Sequence, residues 1–430
     1  MEIPVPPEIE GEMVFGQRLW DPELLIEIER TVASSSFRAA EVISNGLLRR
    51  DESEQFAFRT LQDTVCRNGR QMENDMLKMK DKELEMYGFD PKTGKPKEGV
   101  ELSETLTDPK VSQADRDKMA EKMSAAIEQY NKTTDDPEEQ VRWEALAENI
   151  DSIPDSTVVM CVDEIGVNQQ KSTRGKQLSV ESTGGESKKD AREGKHYEET
   201  TVVYLRSKEG SYRIAAGDVR TAVLIAFGYM LHWSLLQDRD LMIFSDGANN
   251  IKKVIGDVFA FRPYTLNLDW FHLRKHCYEI LSMALVGGAA NKERNNEIRY
   301  HFDKRLFAGN IDSAKQYLDS LDPSVIRNAD KIEELNKYLD RKEDGIYPYA
   351  IRKVMGYINS SNQGEKSNDL VVAQRCKHNG MSWTSNGITG IRNVNLAFLN
   401  NETNWYRTHR FSFEPIPLTA AVLRQYQDAA

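Results

Sequence analysis

The sequence predicts an α/β protein, and three apolar runs carry this prediction. Residues 241–244 and 264–268 are short and apolar, and each run leads through an aspartate into apolar residues at helical spacing. Residues 156–162 form a third apolar run, which ends at Asp163. In open α/β folds, ligands bind beyond the carboxyl ends of the strands. The sequence therefore predicts a sheet whose edge gathers carboxylates.

The first 150 residues show a helical pattern. Apolar residues recur at three- and four-residue steps from residue 22 to about residue 87. Further helices are expected at 112–131 and at 136–149. We predict that residues 1–150 form an all-α domain for oligomerisation or for contact with DNA or a partner.

Strands and helices alternate over residues 151–286. A polar segment at 168–195 is expected to be a long loop. A hairpin of strands 200–205 and 212–215 and an apolar helix at 218–236 follow it. With the runs above, the predicted order is βββαβαβα, which is the order of an RNase H-like domain.

The C-terminal part of the chain returns to helices. Residues 287–350 have charged helical patterning and are predicted to be a helical insertion that ends near Pro348. Residues 351–430 would complete the α/β domain and add a C-terminal tail. A helix at 364–388 is expected to present Glu365, which would bring a third acid to the two at the strand ends.

Charge and composition narrow the class of protein. The net charge is −11, but residues 1–150 hold 20 Lys+Arg and 33 Asp+Glu, so the remainder carries about +2 and could meet phosphates. No apolar run reaches the roughly 18 residues of a spanning helix, and the acidic N-terminus lacks a signal-peptide pattern. The four cysteines form no CxxC pair, which argues against a zinc ribbon. We expect a cytoplasmic protein that does not contact membranes.

Three separated acids are what two-metal phosphoryl transfer requires. Asp163 and Asp246 would follow strands, and Glu365 would stand on a later helix. Mg²⁺ prefers carboxylate oxygens, and two such ions about 3.5–4 Å apart activate the attacking oxygen and stabilise the leaving one. Glu164 is an alternative to Asp163, although strand alternation admits one of the two and the end of the apolar run favours Asp163. An Asp-Gly pair after a single strand is more often only a turn.

Several segments of the second half are similar to the motifs of a known family. Residues 246–248 are Asp-Gly-Ala, and residues 268–275 are Leu-Asp-Trp-Phe-His-Leu-Arg-Lys. Residues 365–368 are Glu-Lys-Ser-Asn, followed by Arg-Cys-Lys at 375–377 and Gly-Met-Ser-Trp at 380–383. These segments resemble the DGA, LDxFHxxK and ExxN, RxK, GMxW motifs of bacterial insertion-sequence DDE transposases, in the branch related to mutator-type and hAT transposases.

The resemblance implies an RNase H-like fold and a set of functional residues. Asp163, Asp246 and Glu365 would be the catalytic ligands of two Mg²⁺ or Mn²⁺ ions. Asp269 and His272 would pack against the site or orient it. The residues expected to contact DNA are Arg274, Lys275, Arg375, Lys377 and Trp383, and a core role for Trp383 is at least as plausible.

The implied activity is the cutting and joining of DNA at the ends of a mobile element. The expected partners are those ends, the target DNA and further copies of the chain, because two ends must be brought together in a dimer or larger assembly. Two other interpretations stay open. One is a transposase-derived DNA-binding or assembly protein without catalysis, which the three intact acids disfavour. The other is an RNase H-like nuclease that hydrolyses without joining, which only reaction products distinguish.

Overall fold

A computed structural model of the chain describes residues 17–49, 51–52, 55–110, 112–142, 156–170, 197–377, 382–408 and 412–415. The chain divides into two compact units. Unit 1 comprises Met1–Asp75, Val167–Glu198 and Leu370–Ala430, and unit 2 comprises Met76–Gly166 and Glu199–Asp369. Residues 1–150, which were predicted as one domain, are thus divided between the two units.

The strands and helices are numbered in chain order. The strands are β1 Gln17–Trp20, β2 Thr157–Asn168, β3 Tyr197–Ser207, β4 Gly210–Ala216, β5 Asp240–Ser245, β6 Thr265–Leu268 and β7 Ser412–Pro415. The helices are α1 Pro22–Ser34, α2 Phe37–Leu47, α3 Phe58–Met86, α4 Glu104–Thr107, α5 Gln113–Asn131, α6 Val219–His232, α7 Asn249–Val258, α8 Trp270–Ala284, α9 Lys292–Phe307, α10 Ile311–Asp319, α11 Ala329–Lys342, α12 Tyr349–Val354, α13 Asn362–Asn368, α14 Gln374–Cys376, α15 Ser385–Leu399 and α16 Asn404–Thr408.

The described strands of the α/β region form a mixed five-stranded sheet in the order β4-β3-β2-β5-β6. β5 runs parallel to both β2 and β6, while β3 and β4 form the predicted antiparallel hairpin. The α/β class predicted from the apolar runs is confirmed. Residues 171–195 of the predicted loop lie outside the described residues.

Side chains on the two faces of β2 alternate between two packing environments. Val158, Met160 and Val162 belong to a large core with α6 and α7, to which Leu84 and Phe89 also contribute. Cys161 packs on the opposite face with Tyr204, Met242 and Phe244. The second face is the one that α13 approaches, since a Cβ at Gly364 would lie 3.2 Å from Cys161 Cβ.

The helical insertion predicted at 287–350 is present as helices α9, α10 and α11. Together with α8 they share one apolar cluster, which includes Leu273, Phe302, Leu318 and Leu335. α12 follows directly, with Pro348 at its N-cap. A separate cluster packs Met119 of α5 against this region.

Two helix predictions were wrong in extent. Between 136 and 142 the chain makes only a 3₁₀ turn, Pro137–Glu139, capped by Asp136, and residues 143–149 lie outside the described residues. The helix predicted at 364–388 ends at Cys376, after a π-helical turn at Asp369–Ala373. A new helix, α15, begins at Ser385 because the Thr384 side chain caps the Gly387 N–H.

Unit 1 contains a strand pair as well as helices, so the N-terminal region is not purely helical. β1 and β7 pair antiparallel. The first part of α3 lies against α15 at two glycines, since a Cβ at Gly69 would fall 2.4 Å from Gly390 O, and a Cβ at Gly390 would fall 2.7 Å from Cys66 Cα. Across the described parts of both units, every helix is too short or too polar to span a bilayer.

Candidate active site

Three aspartates follow one row of the parallel strands. Val162 pairs in register with Ser245, and Ser245 pairs with Leu268. Asp163, Asp246 and Asp269 are each the next residue along these strands, and Asp269 N donates to Ser245 O at 2.9 Å. The sheet therefore presents three carboxylates side by side at the edge where α/β folds place their sites.

Asp163 lies on the face of β2 that α13 approaches. Asn368 of α13 donates from Nδ2 to Asp163 Oδ2 at 2.6 Å, and Glu164 N donates to Oδ1 at 2.9 Å. Burial, with the nearby charges of Asp246 and Glu365, raises the pKa of Asp163 to about 6 against the opposing hydrogen bond from Glu164 N and the charge of His272. The charges of Asp246 and Glu365 contribute less to this pKa than burial does, but their contribution places the three acids within electrostatic reach of one another.

Glu164 points away from this group. Its Oε2 accepts a hydrogen bond from Asn250 Nδ2 at 2.8 Å, near the start of α7. Adjacent strand residues face opposite sides, so β2 can direct only one of the two acids towards α13. The geometry favours Asp163, in line with the choice made from the sequence.

Asp246 stands in the turn between β5 and α7. Its Oδ1 accepts from Ala248 N at 2.8 Å, and Gly247 adopts a φ of +84°, a conformation that favours glycine. Lys342 of helix α11 donates to Gly247 O at 2.5 Å. The turn is therefore held both by the Asp246 side chain and by a lysine from another helix. The Asp-Gly pair is thus a turn former, as the simpler interpretation had it, and also delivers a carboxylate to the row.

Asp269 is fully buried, and its carboxylate accepts hydrogen bonds from backbone and side-chain donors. It caps α8 by accepting from His272 N at 2.8 Å, and it also accepts from Ser361 N and from Ser361 Oγ at 3.1 Å. Burial opposes ionisation, but the hydrogen bonds from His272 and Ser361 outweigh it and lower the pKa of Asp269. These contacts suit the predicted orienting role, because the carboxylate fixes α8 and the segment that leads into α13.

His272 links Asp269 to Glu365. Its Nδ1 lies 3.1 Å from Asp269 Oδ1 and 3.7 Å from Glu365 Oε1. The hydrogen bond with Asp269 raises the pKa of His272 against a smaller effect of burial. Among the described side chains, Asp269, His272 and Glu365 form the group whose donor atoms all lie within 4.8 Å of one another. Glu365 of the predicted triad therefore lies with Asp269 and His272, the pair predicted to orient the site.

Two contributors were not singled out from the sequence. Gly364 allows α13 to approach β2 closely, and a Cβ there would also lie 3.9 Å from Asp163 Cβ. Asn368 stands three residues after Glu365, so both side chains share one face of the helix. Its Oδ1 is buried without a hydrogen-bond partner among the described atoms. The Glu-x-x-Asn spacing was the available signal for Asn368, but its contact with Asp163 depends on tertiary packing.

The predicted DNA contacts are placed unevenly. Arg274 on α8 is half-exposed and ion-paired to Asp303 at 2.7 Å, while Lys275 beside it and Lys377 after α14 are exposed. Arg375 is 6 % exposed, and its Nε donates to Val32 O at 3.0 Å. Trp383 is 7 % exposed, and its Nε1 donates to Cys376 O at 3.1 Å. This supports the core role for Trp383 over stacking on a DNA base.

Oxygen atoms of the kind that Mg²⁺ accepts lie near the sheet edge, namely the carboxylates of Asp163, Asp246 and Glu365 and the Oδ1 of Asn368, which has no hydrogen-bond partner among the described atoms. Asp163 and Asp246 are not part of the group of described donor atoms within 4.8 Å of one another, which consists of Asp269, His272 and Glu365. Comparison of the chain with protein-family models and with curated proteins gave no match. Its function is therefore inferred from this geometry together with the motifs in the sequence.

Proposed function

We propose that this chain is a DDE transposase that cuts and joins DNA at the ends of a mobile element by metal-dependent phosphoryl transfer. The observation that carries the proposal is the row of aspartates formed by Asp163 within β2, Asp246 after β5 and Asp269 after β6, with Glu365 added from α13. The motifs that resemble those of insertion-sequence transposases lie at these same positions. A fold that merely retained this architecture would have no chemical need for acids at all three predicted ligand positions.

The strand order supports an RNase H-like fold. A hairpin lies on one side of the central strand β2, and two parallel strands reached through helices lie on the other. The insertion of helices between β6 and the glutamate helix agrees with the arrangement that the resemblance implies. Strand order alone is compatible with many activities, so the assignment of activity depends on the carboxylates.

The residues at the site have different proposed roles. Asp163, Asp246 and Glu365 would hold two Mg²⁺ or Mn²⁺ ions, which when bound would activate the attacking oxygen and stabilise the leaving one. Asp269 and His272 fix the start of α8 and lie against Glu365. Asn368 holds the Asp163 carboxylate towards α13. The site is thus preorganised by neutral and charged hydrogen bonds before substrate arrives.

DNA is the partner that this chemistry requires. Lys275 and Arg274 lie on the first turns of α8, directly after the residues of the site, where positive side chains would meet phosphates. A homodimer or higher assembly is expected because two element ends must react together.

The decisive experiment follows labelled DNA that carries the element's own terminal sequences, with Mg²⁺ or Mn²⁺. The parent is compared with Glu365→Gln, which keeps the side chain's size but removes the charge that a hard cation needs. Glu164→Gln is the matched control, since it removes a neighbouring carboxylate that faces Asn250. A metal titration of thermal unfolding in the same proteins reports ion binding without relying on turnover.

We expect cut and joined products from the parent and from Glu164→Gln, and none from Glu365→Gln. Cleavage without joined products would show that the protein is a nuclease and not a transposase. Equal activity in the parent and Glu365→Gln would show that Glu365 does not take part in catalysis. Retained DNA binding without any cleavage would favour a non-catalytic assembly protein.

A further inference from the structure

We infer that unit 1 holds a binding site for the DNA phosphate backbone, in a cavity of about 770 Å³ lined by Arg38, Arg59 and Arg375. This inference rests on the proposed function for its choice of DNA as the ligand. The cavity belongs wholly to unit 1, and no residue of the carboxylate row lines it. We call it the arginine pocket.

The walls of the arginine pocket include the starts of three helices. Ser36 caps α2, Thr384 caps α15, and Phe58 is the first residue of α3. The N-terminal end of a helix carries a partial positive charge and unpaired N–H groups, both of which favour an anion. Glu41 already accepts from Phe58 N at 3.1 Å, and Glu198 accepts from Ser385 Oγ at 2.5 Å, so the start of α2 is the end that adds to the charge of the arginines.

Two of the arginines are available at the rim. Arg38 and Arg59 are exposed, and neither makes an ion pair with another described residue. The Arg38 guanidinium lies 5.3 Å from the centre of the Phe58 ring, which orients it without neutralising it. Asp63 is the one acid among the described lining residues, so the lining has two more positive than negative side chains.

The third arginine, Arg375, forms part of the wall of the cavity. Arg375 is buried, with its guanidinium 4.8 Å from the centre of the Trp383 ring and 5.7 Å from that of Phe37. This packing fixes a positive charge beside the cavity at little further cost in side-chain entropy. It also covers the Trp383 ring, so the pocket is suited to phosphate groups rather than to stacked bases.

The distribution of charge in the sequence supports a phosphate ligand. Residues 1–75 contain eight arginines, no lysine and fifteen acids. In such an acidic segment, Arg38 and Arg59, which have no ion pair with a described residue, form a local positive site at one cavity. The guanidinium fork matches the paired oxygens of a phosphodiester, which lysine does not. Backbone contact of this kind would add affinity and position DNA without reading its sequence.

The test measures the affinity of labelled duplex DNA by fluorescence anisotropy, in the Glu365→Gln background and without divalent cations. The Arg38→Gln, Arg59→Gln double variant is compared with Arg30→Gln, Arg70→Gln, which removes the same charge from exposed arginines of the same unit outside the pocket. Thermal unfolding verifies that both variants are folded.

We expect the pocket variant to bind about tenfold more weakly, and the slope of log affinity against log salt concentration to fall by about 2. The control should change neither quantity appreciably. Equal losses in both variants, or no loss in either, would overturn the inference. Stabilisation by inorganic phosphate that requires Arg38 and Arg59, with DNA affinity unchanged, would also overturn it in favour of a free-phosphate site.

The two proposals can fail separately. DNA binding that depends on the arginine pocket, with no cleavage by the parent, would support the pocket and contradict the proposed transposase activity. Cleavage and joining by the parent, with DNA affinity insensitive to Arg38 and Arg59, would do the reverse.

Discussion

Two carboxylates in this protein, one fully buried and one partly buried, have raised pKa values for partly different reasons. Glu29 of unit 1 is fully buried, and burial raises its pKa to about 7 although Tyr406 and Asn68 both donate hydrogen bonds to it. Burial also raises the pKa of Asp163 in unit 2, to about 6, but the charges of Asp246 and Glu365 add to the effect. The hydrogen-bond donors to Glu29 are neutral, and the charge of Arg67 lowers its pKa slightly, whereas the charges of further acids raise the pKa of Asp163.

The comparison shows why a perturbed acid is not by itself a functional site. A carboxyl surrounded by neutral donors is satisfied when it is protonated, and it can serve the fold alone. A carboxylate whose pKa is raised further by neighbouring acids keeps an unfavourable energy that a cation would relieve. Substitutions at these carboxylates and beside them should therefore affect activity and stability differently.

Asp163→Asn should lower strand joining by about 10³-fold or more, because it removes a charge that metal-dependent phosphoryl transfer needs. The same change should not lower the free energy of unfolding at pH 8, since burial and neighbouring acids already disfavour the ionised form. Joining assays and urea unfolding measure the two effects. Glu29→Gln is the control, and loss of joining in that variant would break the comparison.

Asp269→Asn should lower the free energy of unfolding by about 2–4 kcal/mol. An amide cannot accept on both sides from His272 and Ser361, so buried donors would lose their partners. Urea unfolding of this variant beside Asp163→Asn gives the measurement. A loss similar to that of Asp163→Asn would show that Asp269 belongs with the mutually repelling acids.

Glu29→Gln should change how stability depends on pH. The pKa of Glu29 is higher in the folded protein than in the unfolded chain, so its contribution is fully present below about pH 4.5 and is lost as the pH rises to about 7. Relative to Glu29→Gln, the parent should lose roughly 3 kcal/mol between pH 4.5 and pH 8. Urea unfolding at both pH values measures this, and parallel pH profiles would contradict it.

Gly364→Ala should have the smallest effect on stability, a loss of about 1 kcal/mol. The new Cβ would lie 3.2 Å from Cys161 Cβ, in a central strand that cannot readily move, so α13 would have to shift. A shift of Glu365 by a few tenths of an ångström should lower joining by about tenfold. Lys366→Ala, an exposed change in the same helix, should leave both quantities unchanged.

Local pattern was sufficient to predict much of the fold. Apolar runs and turn residues marked β2, β5 and β6, the β3–β4 hairpin and helix α6, because burial and backbone preference act over neighbouring residues. The same runs placed Asp246 and Asp269 directly after strands, whereas β2 continues past Asp163 to Asn168, so the prediction that Asp163 ends its strand was wrong. The helix around Glu365 was predicted too long, since its π-helical turn and the new start at Ser385 depend on local hydrogen bonds that periodicity does not reveal.

The sequence was sufficient to identify the acids that come after the apolar runs and to place Glu365 and Asn368 on one helical face. Only the tertiary structure decided which side chains meet, because the contact of Asn368 with Asp163 joins positions 205 residues apart. The same holds for the approach of Gly364 to Cys161, the burial of Arg375 and the grouping of Arg38 with Arg59 around a cavity. Such contacts depend on how helices and strands pack, and spacing along the chain does not encode the distance between them.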